Sequence, residues 1–366
     1  MHLAHRWLTY AGSAALLITI AAAGCGDDSG SRVTGLSGRA TSLNEFERRL
    51  DTLRMMLKIP GMSATIAANG RIAWQKAYGL ADVGGAVAVA DTTSFHLASL
   101  TKMMAAVVLL RLVDSGLVSL DDPVSKYGVT VTSGGTVRVR HLLTMTSGGA
   151  TPGESFSYNG DAFGLLDEVI RRSAGRPFAD LANAWIIEPL GLEHTAPNVD
   201  DQTAFAFTRR DAGVFRANMA KPYTLSGGSV VPSRYPGYFG TAAGMIASAT
   251  DVARFSLALD AGTLLRAAMR DSMYTPPRTS NGTALPYALG CFSQMYNGVR
   301  IVWGYGLWTA ISSLLVKVPD RGITFVVLAN TEELSRNYGL GAGKLLDSPV
   351  AREFLNAFVF GDARLP

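Results

Sequence analysis

The pattern of apolar and polar residues predicts a helix and then a hairpin at the start of the globular part of the chain. Apolar side chains recur at helical spacing over residues 43–57, and Pro60-Gly61 ends this pattern. Two β-rich segments, residues 62–68 and 71–79, then flank Asn69-Gly70, a dipeptide suited to the positive φ angles of a tight turn. The pattern therefore predicts an amphipathic helix followed by two antiparallel strands.

A second set of β-rich segments lies near the other end of the chain. Residues 312–318 and 323–328 are joined by the turn residues of 319–322, and residues 345–358 have the pattern of a final helix. From about residue 94 to residue 240 the pattern is one of helices and turns. We therefore expect an α+β fold, an α/β sandwich in which both chain ends build one antiparallel sheet flanked by helices, with a mainly helical lobe inserted.

These patterns divide the globular body, residues 42–360, into two predicted lobes. The sheet lobe takes about residues 42–95 and 245–360, and the helical lobe takes about residues 96–244. At the start of the second sheet segment, residues 248–251 resemble a capping box, which predicts another helix directly after them.

The first 24 residues have the pattern of an export signal. A weakly basic start is followed by an apolar stretch over residues 7–24, and small residues precede Cys25. This resembles a bacterial lipoprotein leader, in which an acylated Cys25 is followed by a polar linker over residues 25–41. An ordinary secretory signal and an uncleaved anchor helix are the alternatives. We expect an exported protein of the cell envelope, attached through lipidated Cys25 to a bacterial membrane on its periplasmic or outer surface.

The composition excludes several classes of function. With 48% hydrophobic and 17% charged residues, the chain can bury a core and is not of the disordered class. The net charge of +4 includes no long basic block and no nucleic-acid-binding motif, so we expect no nucleic-acid partner. Histidine and cysteine are scarce, five and two, and they form no metal-binding spacing, so we expect neither a metal nor another cofactor.

One short motif carries candidate chemistry. Ser99 and Lys102 stand directly before an apolar run over residues 103–110 that is too uniform for an exposed helix. Residues three apart share a helix face, so the two side chains can touch, and a buried lysine is pushed toward the neutral amine that can take a serine proton. The helix start also offers backbone N–H groups to an oxyanion. The motif alone is not decisive, because a chain of this length can contain it by chance.

Further segments in the same order surround this motif, and together they resemble the serine β-lactamase and penicillin-binding protein superfamily. The resemblance is to its class C β-lactamase-like branch of esterases and D-Ala peptidases, and it covers about residues 43–360. It implies a β-lactamase/transpeptidase-like fold. The supporting segments are Phe95–Lys102, Arg140–Gly148, Pro189–Leu192, Ala243–Ser248 and Phe325–Asn330.

The resemblance implies roles for individual residues. Ser99 is the acylated nucleophile, Lys102 is its first proton acceptor, and Tyr158 matches the family tyrosine that assists proton transfer to the leaving group. The backbone N–H groups of Ser99 and Leu307 are expected to form the oxyanion hole.

Two boxes depart from the family pattern. The tyrosine box usually ends in asparagine, but Tyr158-Asn159-Gly160 ends in glycine, so the substrate-binding amide is either missing or supplied by Asn159. The third box is usually Lys or His, any residue, then Gly. Here Gly304-Tyr305-Gly306 puts glycine in the place of the cation, and these three residues are expected to line the substrate site.

These features predict an exported serine hydrolase that forms an acyl-enzyme on Ser99 and hydrolyses an ester or an amide. An esterase-like activity is favoured over turnover of penicillins or D-Ala peptides, because both of those substrates carry a carboxylate and the cation that would bind it is missing. The alternative is a catalytically impaired envelope lipoprotein that binds a partner or acts as a scaffold, having lost turnover through Gly160 and Gly304.

Overall fold

The structure is a computed structural model that describes residues 39–366. The predicted signal peptide, Cys25 and most of the linker lie outside the described residues, so the leader and its lipidation stay predictions. Within the described residues, none of the helices is both long enough and apolar enough to cross a bilayer.

Most of the strand residues lie toward the two ends of the described chain, and most of the helices lie between them. The strands are β1 (Gly61–Ala68), β2 (Arg71–Asp82), β3 (Val87–Ala88), β4 (Phe95–His96), β5 (Ala196–Pro197), β6 (Tyr223–Ser226), β7 (Ser229–Pro232), β8 (Met245–Ala247), β9 (Phe292–Tyr296), β10 (Val299–Trp308), β11 (Ile311–Val318) and β12 (Ile323–Ala329). The helices are α1 (Leu43–Met56), α2 (Thr101–Asp114), α3 (Val139–Leu143), α4 (Gly160–Gly164), α5 (Leu166–Ala174), α6 (Phe178–Ala182), α7 (Gln202–Phe205), α8 (Ala212–Ala217), α9 (Ala249–Asp260), α10 (Ala267–Met273) and α11 (Pro349–Phe354).

The main sheet joins the two chain ends, which confirms the predicted fold class. Its seven strands run in the order β3-β2-β1-β12-β11-β10-β9, and every neighbouring pair is antiparallel. The two ends meet where β1 pairs with β12, with Thr65 opposite Val326. β1, β11 and β12 are buried throughout, because helices cover both faces of the sheet.

Successive residues of β12 show the two helical layers. Phe325 stacks on Phe354 of α11 with ring centroids 4.8 Å apart, and Phe46 of α1 packs against it at 5.9 Å. On the opposite face, the Thr324 hydroxyl lies 2.9 Å from that of Ser256 in α9. Because neighbouring strand residues point to opposite faces, α1 and α11 form one layer of the sandwich and α9 forms the other.

The predicted terminal elements agree with the structure, except at the last helix. α1 begins after Ser42, which caps it by accepting the Glu45 N–H, and α9 begins after Ser248, which accepts the Asp251 N–H at 3.1 Å. The segment 345–358 is not one helix. It has a 3₁₀ turn, then α11 with Pro349 in its first turn, then a π-helical end, because proline starts a helix and does not continue one.

The middle of the chain is mostly helical, as predicted, but it also contains strands that the sequence pattern did not reveal. β4, β8 and β5 form a small three-stranded sheet, and β6 and β7 form a hairpin. α2 runs through the interior, and its first ten residues, 101–110, are all buried. The boundaries of the two predicted lobes stay a prediction.

Candidate active site

Ser99 lies in a 3₁₀ turn, Ala98–Leu100, that leads directly into α2. Ala98 has φ +46°, a left-handed conformation that is uncommon for a residue with a side chain. Two contacts hold it there: the Ala98 N–H donates to His96 Nδ1 at 3.2 Å, and Thr101 Oγ1 donates to the Ala98 carbonyl at 2.7 Å. Ser99 is partly exposed between two buried neighbours, so the strained turn presents its hydroxyl at the start of the helix.

Lys102 is only 1% exposed and touches Ser99 from the same helix start. Its Nζ donates to Ser99 Oγ at 2.9 Å and to the carbonyl oxygen of Ala242 at 2.7 Å. Burial lowers the pKa of Lys102 to about 7, and the carboxylate of Asp161 opposes part of that shift. A lysine with this pKa is largely available as a neutral amine just above neutral pH, which is the form that can take the serine proton.

Tyr158 lies beside Ser99 and makes a side-chain hydrogen bond with it. Its ring is stacked parallel to Phe292 at 6.0 Å and lies 5.4 Å from Tyr305, while Lys102 Nζ is 5.4 Å from the ring centroid. Burial raises the pKa of Tyr158 well above 10, so the phenol stays protonated at neutral pH. Tyr158 is therefore suited to donate a proton, and Lys102 to accept one.

The strand geometry directs the Leu307 N–H toward the open edge of β10. The β9–β10 turn, Asn297-Gly298, has two positive φ angles, 48° and 77°, so it is a two-residue hairpin turn in which Val299 bonds to β9. Backbone groups of every second residue from Val299 to Leu307 then point the same way. The pairing of β9 with β10 stops at Phe292, which lies opposite Trp303. In the described part of the chain, no strand therefore pairs with that edge of β10 at Leu307.

Gly304 does not leave an empty place for the missing cation. It is buried, and a Cβ atom on it would lie 2.9 Å from Met103 Sδ and 3.1 Å from Leu100 Cδ1. These two apolar side chains fill the space into which a lysine or histidine would project. Gly306 is also required, because a Cβ atom there would collide with the Leu97 carbonyl oxygen.

Gly160 is different, since space is available beside it. A Cβ atom on Gly160 would lie 3.9 Å from Lys102 Nζ, at ordinary contact distance. Asn159 is exposed, and its Oδ1 caps α4 by accepting the Ala162 N–H at 3.0 Å. The amide oxygen of Asn159 is thus bonded to its own helix, not to Lys102.

Tyr305 belongs to an aromatic wall that the sequence did not predict. Tyr287 lies 5.8 Å from the ring of Tyr158, and Phe292 lies 4.7 Å from Tyr287. Trp303 is stacked on Phe292 at 4.0 Å, which fixes the wall to the sheet. Such rings offer apolar contact area to a substrate and no charge.

The structure brings the predicted Ser99, Lys102 and Tyr158 together and places Tyr305 beside them. The sequence did not reveal the carbonyl of Ala242, the carboxylate of Asp161 or the aromatic residues Tyr287 and Phe292. Ala242 stands directly before the family-like segment 243–248, and that position was a usable signal. Asp161 directly follows the Tyr158-Asn159-Gly160 box and could have been found there, whereas Tyr287 and Phe292 come from a distant part of the chain.

Comparisons with known proteins identify the family of the chain. A family model described as beta-lactamase matches residues 46–345, most of the chain. Protein flp of Staphylococcus aureus (strain MW2) is 24% identical over an aligned length of 330 residues. The match covers 78% of this chain and 64% of flp, a little under two thirds of that relative. Esterase EstB of Burkholderia gladioli is 29% identical over an aligned length of 277 residues, and the match covers 58% of this chain and 70% of EstB.

The fold has a solved counterpart in the octameric penicillin-binding protein homologue from Pyrococcus abyssi. The TM-score is 0.73 at 21% identity, with 86% of this chain and 77% of that chain covered. An identity this low shows a shared fold and nothing finer. With the match of the family model over residues 46–345, it leads to one conclusion: the chain belongs to the beta-lactamase family.

Proposed function

We propose that the protein is an acyl hydrolase that forms an acyl-enzyme on Ser99 and releases it to water. The observation that carries this proposal is the 2.9 Å contact between Ser99 Oγ and a buried Lys102 whose pKa is lowered to about 7. Covalent catalysis needs a hydroxyl beside a group that can accept its proton, and this pair supplies both without histidine.

The steps follow from the positions of the groups. Lys102 takes the Ser99 proton as Oγ attacks the carbonyl carbon, and the N–H groups of Ser99 and Leu307 stabilise the resulting oxyanion. The bond to the leaving group then breaks, the phenol of Tyr158 gives a proton to the leaving group, and the protonated Lys102 passes a proton back to Tyr158. In the second half, water attacks the ester carbonyl, the same groups take up its proton, and the acid and free Ser99 are released.

We infer that the substrate is a neutral ester or amide without a carboxylate beside the reacting group. Met103 and Leu100 fill the place of the family cation, and the charged group that acts on the pKa of Lys102, Asp161, is negative. A negative charge at this position repels a substrate carboxylate, and the rings of Tyr158 and Tyr305 favour apolar groups. Esterase activity, as in the name of the relative EstB, fits this environment better than penicillin turnover.

Export and lipid anchoring are part of the proposal. Their support is the leader pattern over residues 1–24 and the small residues before Cys25. Growth of the expressing cells with a labelled fatty acid tests them: wild type should carry the label, Cys25→Ala should not, and an unlabelled wild type would contradict the anchor.

The test of the enzyme is intact-mass labelling of the protein without its leader by a fluorophosphonate and, separately, by a penicillin. We expect a phosphonate adduct that Ser99→Ala abolishes, steady hydrolysis of a neutral p-nitrophenyl ester, and little penicillin adduct. Efficient penicillin turnover with a low KM would overturn the neutral-substrate inference. The absence of any adduct on a folded sample would favour the alternative, a binding or scaffold protein.

A further inference from the structure

The carbonyl that holds Lys102 belongs to a tight turn, residues 238–244. Within it Gly240 N–H donates to the Ala243 carbonyl at 2.9 Å, and Ala243 N–H returns a bond to Gly240 at 3.2 Å. Gly244 has φ +108°, and a Cβ atom there would collide with the backbone of the turn. Because Ala242 lies between these bonded residues, the position of its carbonyl depends on how the whole turn is held.

Asp167 of α5 holds this turn from the side. Its Oδ1 accepts the Thr241 N–H at 3.0 Å, one residue before Ala242, and the Tyr238 hydroxyl donates to the same carboxylate. Gly240 allows this close approach, since a Cβ atom on it would lie 2.5 Å from Asp167 Oδ2. The carboxylate therefore bonds to the turn at two points, on both sides of Gly240.

The same turn reaches the other side of the cleft. The Tyr238 ring packs edge-on against Trp308 at 6.1 Å, and Trp308 follows Leu307 in β10. Asp167 thus bonds to a segment that contacts both the proton acceptor and the end of the strand that carries the predicted oxyanion donor.

No ion pair compensates the charge of Asp167 in the described part of the chain. Ordinarily such a group prefers its neutral form, and burial raises the pKa of Asp167 to about 6. Since this value lies above the ordinary 3.8, the charged carboxylate destabilises the folded state at neutral pH, and the folded state gains stability as pH falls through 6. An asparagine could accept the Thr241 bond without that penalty, so the charge adds bond strength at the turn and not net stability.

We propose that Asp167 is a positioning residue: its charged carboxylate holds the turn 238–244 and thereby fixes the Ala242 carbonyl against Lys102. This proposal rests on the proposed serine hydrolase function. Within the turn, Tyr238 is the titratable group that faces the carboxylate of Asp167. The negative charge of Asp161 in α4 raises the pKa of Tyr238. Lys102 of α2 lies on the far side of the turn, bonded to Ala242.

The test is the pH profile of kcat/KM for a neutral p-nitrophenyl ester, in the protein without its leader. In wild type we expect the logarithm to fall with slope 1 below about pH 7, where Lys102 becomes protonated, and with slope 2 below about pH 6, where Asp167 does. Asp167→Asn resembles the protonated carboxyl, so it should lose at least about tenfold in kcat/KM at pH 8 and keep slope 1 throughout. Asp167→Ala should lose at least about tenfold in kcat/KM at pH 8. This kcat/KM is calculated per active site, from the fraction of protein molecules that a fluorophosphonate labels.

Glu168→Gln is the matched control, because Glu168 is the next residue of α5 and pairs with Arg171 at the surface. It should keep the wild-type profile. A second slope that persists in Asp167→Asn, or an Asp167→Ala variant with wild-type activity per titrated site, would overturn the positioning role while leaving the enzyme established. If wild type forms no adduct at Ser99, the proposed function fails, and this inference fails with it.

Discussion

Two lysines, Lys102 and Lys317, are buried to the same extent but have different partners. Each is 1% exposed. Lys317 of β11 donates to Asp260 Oδ2 at 2.6 Å and to Ser256 Oγ at 2.8 Å, both from α9. Lys102 donates to a hydroxyl and a backbone carbonyl, and no carboxylate lies within ion-pair distance of it among the described residues.

The difference shows that burial alone does not make a lysine a base. Burial lowers the pKa of both lysines, but at Lys317 the carboxylate of Asp260 is in direct contact and opposes the shift. At Lys102 the opposing charge, Asp161, makes no direct ion pair. Lys317 is therefore suited to join α9 to the sheet as a cation, and Lys102 to exchange a proton near neutral pH.

Replacing Lys102 gives the largest expected effect on activity. Lys102→Met should lower kcat/KM about 10³-fold or more, since a positioned base contributes factors of this order. Its free energy of unfolding should stay equal or rise. The folded pKa of about 7 lies below the ordinary 10.5, so folding displaces a proton from this lysine between those pH values, and methionine removes that penalty. Ester hydrolysis and urea unfolding measure the two effects, and a stable variant with wild-type activity would contradict the base role.

The same substitution at the other lysine should have the opposite result. Lys317→Met leaves the carboxylate of Asp260 without its partner, so we expect a loss of about 2 kcal/mol in the free energy of unfolding. The side chain of Asp260 is 31% exposed, which keeps the loss below that of a fully buried pair. kcat/KM per folded molecule should change by less than about twofold.

The double variant Lys317→Met/Asp260→Asn is the control for this prediction. It removes the uncompensated charge and should recover part of the lost stability. If Lys317→Met lowered activity but not stability, the contrast between the two lysines would be wrong.

Sequence reasoning could separate the two lysines only in part. The apolar run that follows Lys102 predicts that this lysine is buried, and the structure confirms it. Lys317 lies in the β-rich segment 312–318, which was predicted as a strand, but its partner Asp260 is 57 residues away in the chain. A local pattern shows that a residue is buried, whereas the charge of its neighbour depends on how distant elements pack.

The two glycines that depart from the family pattern show the same limit. In the sequence, Gly160 and Gly304 both stand where the family pattern has a functional side chain. In the structure the space at Gly304 is filled by Met103, while the space at Gly160 is open toward Lys102. The strands at the chain ends and the Ser99–Lys102 contact follow from local patterns, but the filling of a site by neighbours does not.

Gly160→Asn should make the surroundings of Lys102 more like those of Lys317, with an added side-chain acceptor. The new amide oxygen can accept a bond from the charged Nζ, which raises the pKa of Lys102 and reduces the neutral fraction. We expect kcat/KM at pH 6 to fall about three- to tenfold, with the acid limb of the profile moved to higher pH. Gly304→Lys is the contrasting variant, and it should lower the melting temperature because its side chain meets Met103. An unchanged acid limb in Gly160→Asn would show that the open space is not occupied by the amide.

Asp161→Asn gives the smallest effect and tests how far Lys102 is isolated from negative charge. Asp161 raises the pKa of Lys102, so its removal should lower that pKa and move the acid limb of kcat/KM to lower pH, with an increase of about twofold at pH 6. Loss of the repulsion should also raise kcat/KM for a carboxylate-bearing ester relative to a neutral ester of the same size. Asp362→Asn removes an exposed charge near the end of the chain and is the matched control, expected to change neither quantity. An unchanged limb in Asp161→Asn would mean that the charge of this carboxylate does not act on Lys102 and would contradict the prediction.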